Sequence, residues 1–354
     1  MALSIPLVWS DEHRLHEPDA EIWVGVRTPA AEVPARAEAI RAALTGAGAE
    51  LVMAGRHDDT TLQAVHGHGL LAFLATAWQE WEAAGLPDDP GQSRVVPYIF
   101  PHPSLLGELE PLVPAATWAR PGAFCFDTMT LIGPGTWEAA RAAADVALTA
   151  AELVSETGRA AYACCRPPGH HVTSNAYGGS CYLNNGAVAA ARLRELGAAR
   201  VGIIDIDAHH GNGAQTIFWD RADVFTGSVH VDPETGWFPH FLGRAAEHGA
   251  GAGRGANLNV PLPPGAGDDD WLRGVSEILR VARNHGAEAF VLALGVDAAA
   301  ADPESPLQVT ESGYREAGRM VANQGLPCVV VQEGGYDLAS IGALVLATLE
   351  GLQS

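Results

Sequence analysis

The alternation of apolar and polar positions divides the chain into helices and short strands. Apolar residues recur with the period of an α-helix at about residues 32–45, 69–84, 136–155, 184–197, 271–285, 311–323 and 339–352. Short runs of β-branched and other apolar residues, typical of buried strands, occur near residues 160–164, 201–206, 223–231, 289–295 and 327–332. In the second half the two kinds of segment alternate, which predicts a parallel sheet with helices on both faces.

Residues 86–135 lack this periodicity and contain nine prolines. A long irregular segment inside a compact domain usually serves as a functional loop. No change in composition marks a domain boundary. We therefore expect residues 1–354 to form one domain, with residues 86–135 as a long loop insertion.

Composition and charge narrow the class of protein and its partners. The chain is 47% hydrophobic and 18% charged, which favours a soluble globular protein. No apolar run approaches the ~18 residues of a membrane span, and Met1–Glu12 does not resemble a secretory signal. The net charge of −21 disfavours nucleic acid as a partner. It would attract cationic small molecules, although solubility or salt adaptation would explain the acidity equally well.

The cysteines indicate the redox compartment. There are five, two of them adjacent at Cys164 and Cys165, and no CxxC pair occurs. An odd count with neighbouring thiols argues against a disulfide framework, so we expect a cytoplasmic protein.

The hexapeptide Asp205–His210 follows directly on the apolar run Val201–Ile204. Side chains alternate across a strand, so Asp205, Asp207 and His209 would share one face where the strand ends. Carboxylate oxygen and imidazole nitrogen together suit a divalent metal such as zinc. The alternative is a strand end whose acidic side chains cap the next helix.

Four other polar segments also follow strands or precede helices. Ligands of such sheets bind beyond the carboxyl ends of the strands. Each segment alone has a structural explanation as a turn, a helix cap or a core residue. The segments are Arg166–His171 with its paired histidines, the glycine-rich Gly178–Asn185, Gly295–Asp297, and Glu333–Tyr336.

Together these motifs, in this order, resemble the zinc-dependent histone deacetylases and acetylpolyamine amidohydrolases. The segments Ser10–His13, Gly133–Trp137 and Phe238–Gly243 are most similar to the bacterial acetylpolyamine enzymes. The resemblance implies an α/β, arginase/deacetylase-like single domain with a central parallel sheet of about eight strands and helices on both faces. It also implies a metal-dependent hydrolase of N-acyl amides.

The resemblance further implies a role for each site residue. Asp207, His209 and Asp297 would bind one zinc ion. His171 would act as general base and then general acid, with Asn212 as its partner, and His170 would be an electrostatic partner bonded to Asp205. We expect His171 to keep the lower pKa of the two histidines, because a neutral amide stabilises imidazolium less than a carboxylate does. Tyr336 would donate to the oxyanion of the tetrahedral intermediate.

A monovalent cation site and a substrate tunnel complete the family pattern. Potassium is expected at Asp205, Asp207, His209, Ser228 and Val229. Phe238 matches one aromatic wall of the tunnel, and Gly179 lies in the segment that forms the other. The opposite wall is usually Phe or Tyr, but here it is Ser180, which widens or rearranges the tunnel.

The sequence features that bear on substrate specificity favour two different substrate classes. Glu304 falls where polyamine-selective relatives carry a rim glutamate, whereas Trp118 and Met129 replace acidic residues of the bacterial polyamine enzymes. Asp127 instead matches the rim aspartate with which histone deacetylases hold substrate N–H groups. The first hypothesis is a small acylated amine such as an acetylpolyamine, and the alternative is an N-acyl-lysine protein deacylase.

By the same resemblance, residues 86–135 match a loop that narrows the mouth of the active site and crosses to a second subunit. A homodimer is therefore expected, with candidate contacts at Trp118, Pro121, Phe124 and Phe126. The alternative is that these side chains pack the loop onto its own subunit.

Overall fold

The computed structural model describes residues 2–354, and its strands follow the predicted pattern. The strands are β1 Leu7–Trp9, β2 Glu21–Trp23, β3 Val26–Thr28, β4 Leu51–Met53, β5 Ala161–Ala163, β6 Val201–Asp205, β7 Val224–Val231, β8 Asn257–Leu262, β9 Ala289–Leu294 and β10 Cys328–Gln332. Eight of them form one parallel sheet in the order β4-β1-β5-β10-β9-β6-β7-β8, and β2 and β3 form a separate antiparallel hairpin. The predicted sheet of about eight parallel strands is confirmed.

Helices cover both faces of the sheet. They are α1 Pro34–Gly46, α2 Thr60–Val65, α3 His68–Ala83, α4 Pro103–Leu106, α5 Thr136–Thr157, α6 Asn185–Glu195, α7 Asn212–Ile217, α8 Asp268–His285, α9 Glu311–Ala322 and α10 Ile341–Leu352. One hydrophobic cluster lies between the sheet and α2, α3, α5 and α6, and a second lies between the sheet and α1, α8, α9 and α10. Alternate strand residues supply the two clusters, as Ala161 and Tyr162 of β5 illustrate.

The periodicity missed the short elements and one edge strand. Strands β1 and β4 have three residues each, too few to show a period of two. Strand β8 contains Pro261, which is unusual in a strand but tolerated here because β8 lies at the edge of the sheet. Helices α2 and α7, with six residues each, are too short for a helical pattern to emerge.

The sheet order brings three motif-bearing segments together. Strands β10, β9 and β6 are neighbours, and the register pairs Asp205 with Ala293 and Gln332 with Leu294. Because parallel strands end at the same edge, the residues that follow each strand meet there. This edge therefore carries the hexapeptide, the segment at Asp297 and the segment at Tyr336.

Residues 86–135 are mostly irregular apart from α4 and a 3-10 helix at Arg120–Ala123. The end of the segment returns to the edge described above, where the Phe126 N–H donates to the carbonyl of Tyr177 at 3.1 Å. Among residues 2–354, the helices are all too short or too polar to cross a membrane.

Candidate active site

Three metal-ligand side chains converge at the carboxyl edge of the sheet. Donor atoms of Asp207, His209 and Asp297 all lie within 4.8 Å of one another. His209 Nδ1 is 2.9 Å from Asp297 Oδ2 and 3.2 Å from Asp207 Oδ1. The other carboxylate oxygens are held by backbone N–H groups, Asp207 Oδ2 by Gly334 and Asp297 Oδ1 by Ala208, each at 2.8 Å. One nitrogen and two oxygens thus face one another, a donor set that fits zinc. One of these oxygens, Asp207 Oδ1, also accepts the backbone N–H of His209 at 2.8 Å.

Two glycines allow the carboxylates to approach so closely. A Cβ on Gly295 would lie 1.9 Å from Asp207 Oδ2, and one on Gly334 would lie 2.4 Å from Asp297 Oδ2. Both glycines belong to motifs that the sequence analysis singled out. Their requirement is steric, because any larger residue would displace a carboxylate oxygen of Asp207 or Asp297.

The paired histidines lie beside this cluster, each with its own hydrogen-bond partner. His170 Nδ1 is 2.9 Å from Asp205 Oδ2, and His171 Nδ1 is 2.6 Å from Asn212 Oδ1. Asn212 Nδ2 donates to the carbonyl of His171 at 3.1 Å, which fixes the orientation of the amide. An amide oxygen only accepts hydrogen bonds, so His171 carries its proton on Nδ1 and Nε2 is the free acceptor.

The two imidazoles differ in their readiness to take a proton. Burial lowers the pKa of His170, but the carboxylates of Asp207 and Asp205 outweigh it and raise the pKa to about 10. Burial, together with the positive charges of His170 and His209, holds the pKa of His171 well below its usual range. This is the order expected from the sequence. His171 is therefore the neutral member of the pair near neutrality.

Glu333 holds the histidine turn in place, a role that the sequence analysis did not assign. Its Oε2 accepts the N–H groups of Gly169 and His170, at 2.7 and 3.0 Å. The side chain is fully buried, and burial raises the pKa of Glu333 to about 7. A glutamate directly after a strand buried on both faces was the signal that could have identified it.

Tyr336 is positioned through its backbone and its ring. Its N–H donates to Asp302 Oδ2 at 2.7 Å, and the guanidinium of Arg36 lies 4.7 Å from the ring centroid. Arg36, itself buried, donates to the carbonyls of Glu333 and Gly335 at 2.6 and 2.5 Å. Arg36 thus anchors the Tyr336 loop to helix α1. Nothing in the sequence pattern marked Arg36.

Phe238 and a tight turn flank the histidines on the outer side. The Phe238 ring packs edge-on against His171, with centroids 4.8 Å apart, and lies 6.3 Å from His209. Across from it, a Cβ on Gly179 would lie 2.3 Å from His171 Cδ2. Phe238, Gly179 and Ser180 are thus brought to the site.

Asp127 also reaches this turn, but its oxygens are already occupied. They accept the N–H groups of Met129, Thr130 and Gly179 and the hydroxyl of Thr130, at 2.6–3.1 Å. Four donors leave little capacity for substrate N–H groups. The contacts favour a structural role for Asp127, which ties the 126–130 loop to the turn.

Two glutamates lie at the outer rim. Glu304 is exposed, and its carbonyl accepts the Trp237 indole N–H at 3.3 Å. Burial raises the pKa of Glu21 to about 7, and the neighbouring negative charges of Glu304, Asp127 and Glu32 act in the same direction. Glu21 begins β2, whose Ile22 carbonyl accepts the hydroxyl of Thr128 at 2.8 Å. Glu21 belongs to no motif, so nothing in the sequence marked it as a site residue.

Of the residues expected at the potassium site, Asp207 and His209 belong to the zinc-ligand cluster, and Asp205, Ser228 and Val229 lie on β6 and β7. Asp205 and Ser228 are buried and pair in the register of β6 and β7. The Ser228 hydroxyl is 2.8 Å from His230 Nδ1, while His230 Nε2 is 2.8 Å from the carbonyl of Gly243. His230 therefore donates through Nε2 and accepts the proton of Ser228. The Ser228 oxygen then acts only as an acceptor, and it accepts the N–H of Gly211 at 3.5 Å.

The fold and the site together define the class of protein. The chain matches the histone deacetylase domain family over residues 30–352. It belongs to this family and is an enzyme of the deacetylase and amidohydrolase class. The resemblance inferred from the motifs is confirmed.

Similarity to individual relatives extends over nearly the whole chain for acetylpolyamine amidohydrolases and over part of it for a histone deacetylase. The chain is 41% identical to the acetylpolyamine amidohydrolase of Mycoplana ramosa over 347 residues, 98% of this chain and 99% of that protein. The crystal structure of acetylpolyamine aminohydrolase from Burkholderia pseudomallei matches with a TM-score of 0.93 and 36% identity over 99% of both chains. Histone deacetylase 8 of Arabidopsis thaliana is 37% identical over 232 residues, 63% of this chain and 62% of that protein.

Proposed function

We propose that this protein hydrolyses small N-acylated amines, first of all acetylpolyamines, to the free amine and a carboxylate. The observation that carries the proposal is the joint placement of the Asp207–His209–Asp297 cluster and the His170–His171 pair beside an acidic rim. The full-length similarity to acetylpolyamine amidohydrolases supports it. N-acyl-lysine protein deacylation is the alternative, supported by the partial similarity to histone deacetylases.

Asp207, His209 and Asp297 would hold one zinc ion. Bound zinc would polarise the amide carbonyl and lower the pKa of a water molecule. The other residues of the site then do the positioning and the proton transfers.

His171 is the proton carrier in this proposal. Its Nε2 is free, since Nδ1 donates to Asn212, and its low pKa keeps the ring neutral. It would take a proton from the attacking water and return it to the leaving amine. His170, whose pKa is raised to about 10, would remain cationic and balance the buried carboxylates.

Tyr336 would donate its hydroxyl to the oxyanion that forms on the substrate carbonyl. Burial raises the pKa of Tyr336 well above its usual value, so the hydroxyl keeps its proton for donation. Asp302 and Arg36 both bond to the backbone of the loop, so the donor is held in place before substrate arrives.

A substrate panel separates the two candidate substrates. With zinc-loaded protein, we expect a higher kcat/KM for acetylputrescine and acetylspermidine than for an acetyl-lysine peptide. The physical reason is that the rim carboxylates of Glu21 and Glu304 attract a distant ammonium, which the polyamines carry and a neutral peptide lacks. A strong preference for the peptide would establish the alternative instead.

The pKa of Glu21 predicts a pH dependence of substrate binding. Its carboxyl group is neutral below pH 7 and negative above, because burial raises the pKa to about 7. The KM for acetylputrescine should therefore fall about tenfold between pH 6 and pH 8. Glu304, Asp127 and Glu32, the other charged groups facing Glu21, raise its pKa further.

The control for this prediction is a neutral substrate and two variants. The KM for N-butylacetamide, which carries no ammonium, should not follow the same trend. Glu21→Gln should remove the trend for acetylputrescine, whereas Glu50→Gln, at an exposed glutamate elsewhere, should preserve it. An unchanged trend in Glu21→Gln would assign the titration to another group.

We also propose that the protein forms a homodimer through residues 98–118. Seven large apolar side chains of this segment are exposed by 44–78%: Tyr98, Ile99, Leu105, Leu109, Leu112, Val113 and Trp118. Of the contacts expected from the sequence, Trp118 belongs to this set. Pro121 is buried, Phe124 stacks on Phe73 at 4.8 Å, and Phe126 packs within the subunit, so these three follow the alternative of intrasubunit packing.

We further propose that the protein binds one potassium ion and that it is located in the cytoplasm. Side-chain oxygens of Asp205 and Ser228 and backbone oxygens of Asp207, His209 and Val229 would hold the monovalent ion. The Ser228 hydroxyl supports this assignment, because its proton goes to His230 and one of its two lone pairs has no partner among the described residues. A cytoplasmic location is supported by the five cysteines, all buried and unpaired within the described residues.

A further inference from the structure

Ser180 lies at the tip of a two-residue turn beside the catalytic histidine. The N–H groups and carbonyls of Gly178 and Cys181 bond to each other at 3.1 and 3.2 Å. The φ angle is +61° at both Gly179 and Ser180, which defines a type I′ turn. The turn presses the Gly179 backbone against His171 but provides no aromatic ring opposite Phe238.

A different segment places a ring there. Phe126 covers Gly178 so closely that a Cβ on the glycine would lie 2.4 Å from Phe126 Cε2 and Cζ. Its centroid is 6.4 Å from that of Phe238, and the two ring planes differ by only 27°. The backbone fixes this position, since the Phe126 N–H donates to the carbonyl of Tyr177.

We propose that Phe126 forms the aromatic wall opposite Phe238 and contacts the methylene chain of the substrate, in place of a ring at position 180. The proposal rests on the proposed function, because it concerns the passage to the same site. Phe238 itself packs against His171 and lies near His209, so the space between the two rings leads to the reacting groups.

The spacing of the rings indicates how the passage works. An alkyl chain between two ring faces makes contacts of about 3.5–4.0 Å on each side, so the faces would lie roughly 7–8 Å apart. The centroids of the two rings are 6.4 Å apart, which is about 1 Å less than this spacing. The rings must therefore separate by about 1 Å when a chain enters. Phe126 lies half-buried on a loop and can move outward, whereas Phe238 is packed against two histidines.

The contribution of the Phe126 ring can be separated from that of the loop. Asp127 accepts the N–H of Gly179, and the Thr130 hydroxyl accepts the N–H of Ser180. These bonds hold the turn without the aromatic side chain. Phe126→Ala should thus remove the wall and leave the turn in place.

The test measures the affinities of two uncharged hydroxamates, which bind zinc at one end. Octanohydroxamic acid has a chain that fills the passage, whereas acetohydroxamic acid has only a methyl group. In zinc-loaded Phe126→Ala, the Kd of octanohydroxamic acid should rise about tenfold or more, and the Kd of acetohydroxamic acid should stay unchanged. Phe126→Tyr, which keeps a ring, should restore the affinity for the long chain.

Phe241→Ala is the matched control, because this ring is 82% exposed and lies in the loop that carries Phe238. It should change neither Kd. An unchanged Kd of octanohydroxamic acid in Phe126→Ala, or an equal weakening of both hydroxamates, overturns the proposal. Failure of the wild-type protein to bind acetohydroxamic acid would instead contradict the proposed metal site, so the two failures are distinguishable.

Discussion

Replacing Tyr336 with phenylalanine should lower kcat by on the order of 10²–10³-fold, the usual cost of removing one oxyanion donor. The backbone of Tyr336 is held by Asp302, and Arg36 lies over its ring. Neither contact uses the hydroxyl, so the variant should keep the same loop conformation. The loss therefore reports the missing donor alone.

Three measurements accompany this prediction. Zinc content and thermal stability should match those of the wild-type protein, and KM should change far less than kcat. Thr45→Val, which removes an exposed hydroxyl at the end of α1, should leave kcat unaltered. Full activity of Tyr336→Phe would remove the hydroxyl from the mechanism.

The sequence predicted the centre of the sheet better than its edges. Strands β6, β9 and β10 are buried apolar runs bounded by polar motifs, so both their positions and the functional edge could be inferred. Strands β1 and β4 pair through three residues each, and their presence depends on tertiary contacts that no local pattern encodes.

The site residues divide in the same way, into those that stand in motifs and those that only tertiary contacts bring to the site. Asp207, His209, Asp297 and the paired histidines stand in motifs, so their convergence could be expected. Arg36 and Glu21 come from the N-terminal part of the chain and act through single contacts across the fold. Phe126 was placed at a subunit interface because a loop aromatic carries no directional information. Its position follows from one backbone bond to Tyr177.

The largest effect is expected from loss of the divalent metal. Chelated protein should be inactive, and activity should return with about one zinc per chain, since one cluster of three ligands occurs in residues 2–354. Zinc would bind the ligand cluster of the folded protein, in which Asp207 and Asp297 are fully buried, and a ligand that binds only the folded state stabilises that state. Zinc should therefore also raise Tm, by an amount equivalent to about 4 kcal/mol at a thousandfold excess over its Kd.

The variant Asp297→Asn tests the contribution of a single metal ligand to zinc binding. An amide oxygen carries no charge, so zinc affinity should fall by more than the ~10–100-fold typical of losing a partner of a metal ligand. Asp220→Asn, at an exposed aspartate, should preserve zinc affinity and Tm. Undiminished zinc binding by Asp297→Asn would show that the ion is held elsewhere, and the roles of His171 and Tyr336 would then lose their common centre.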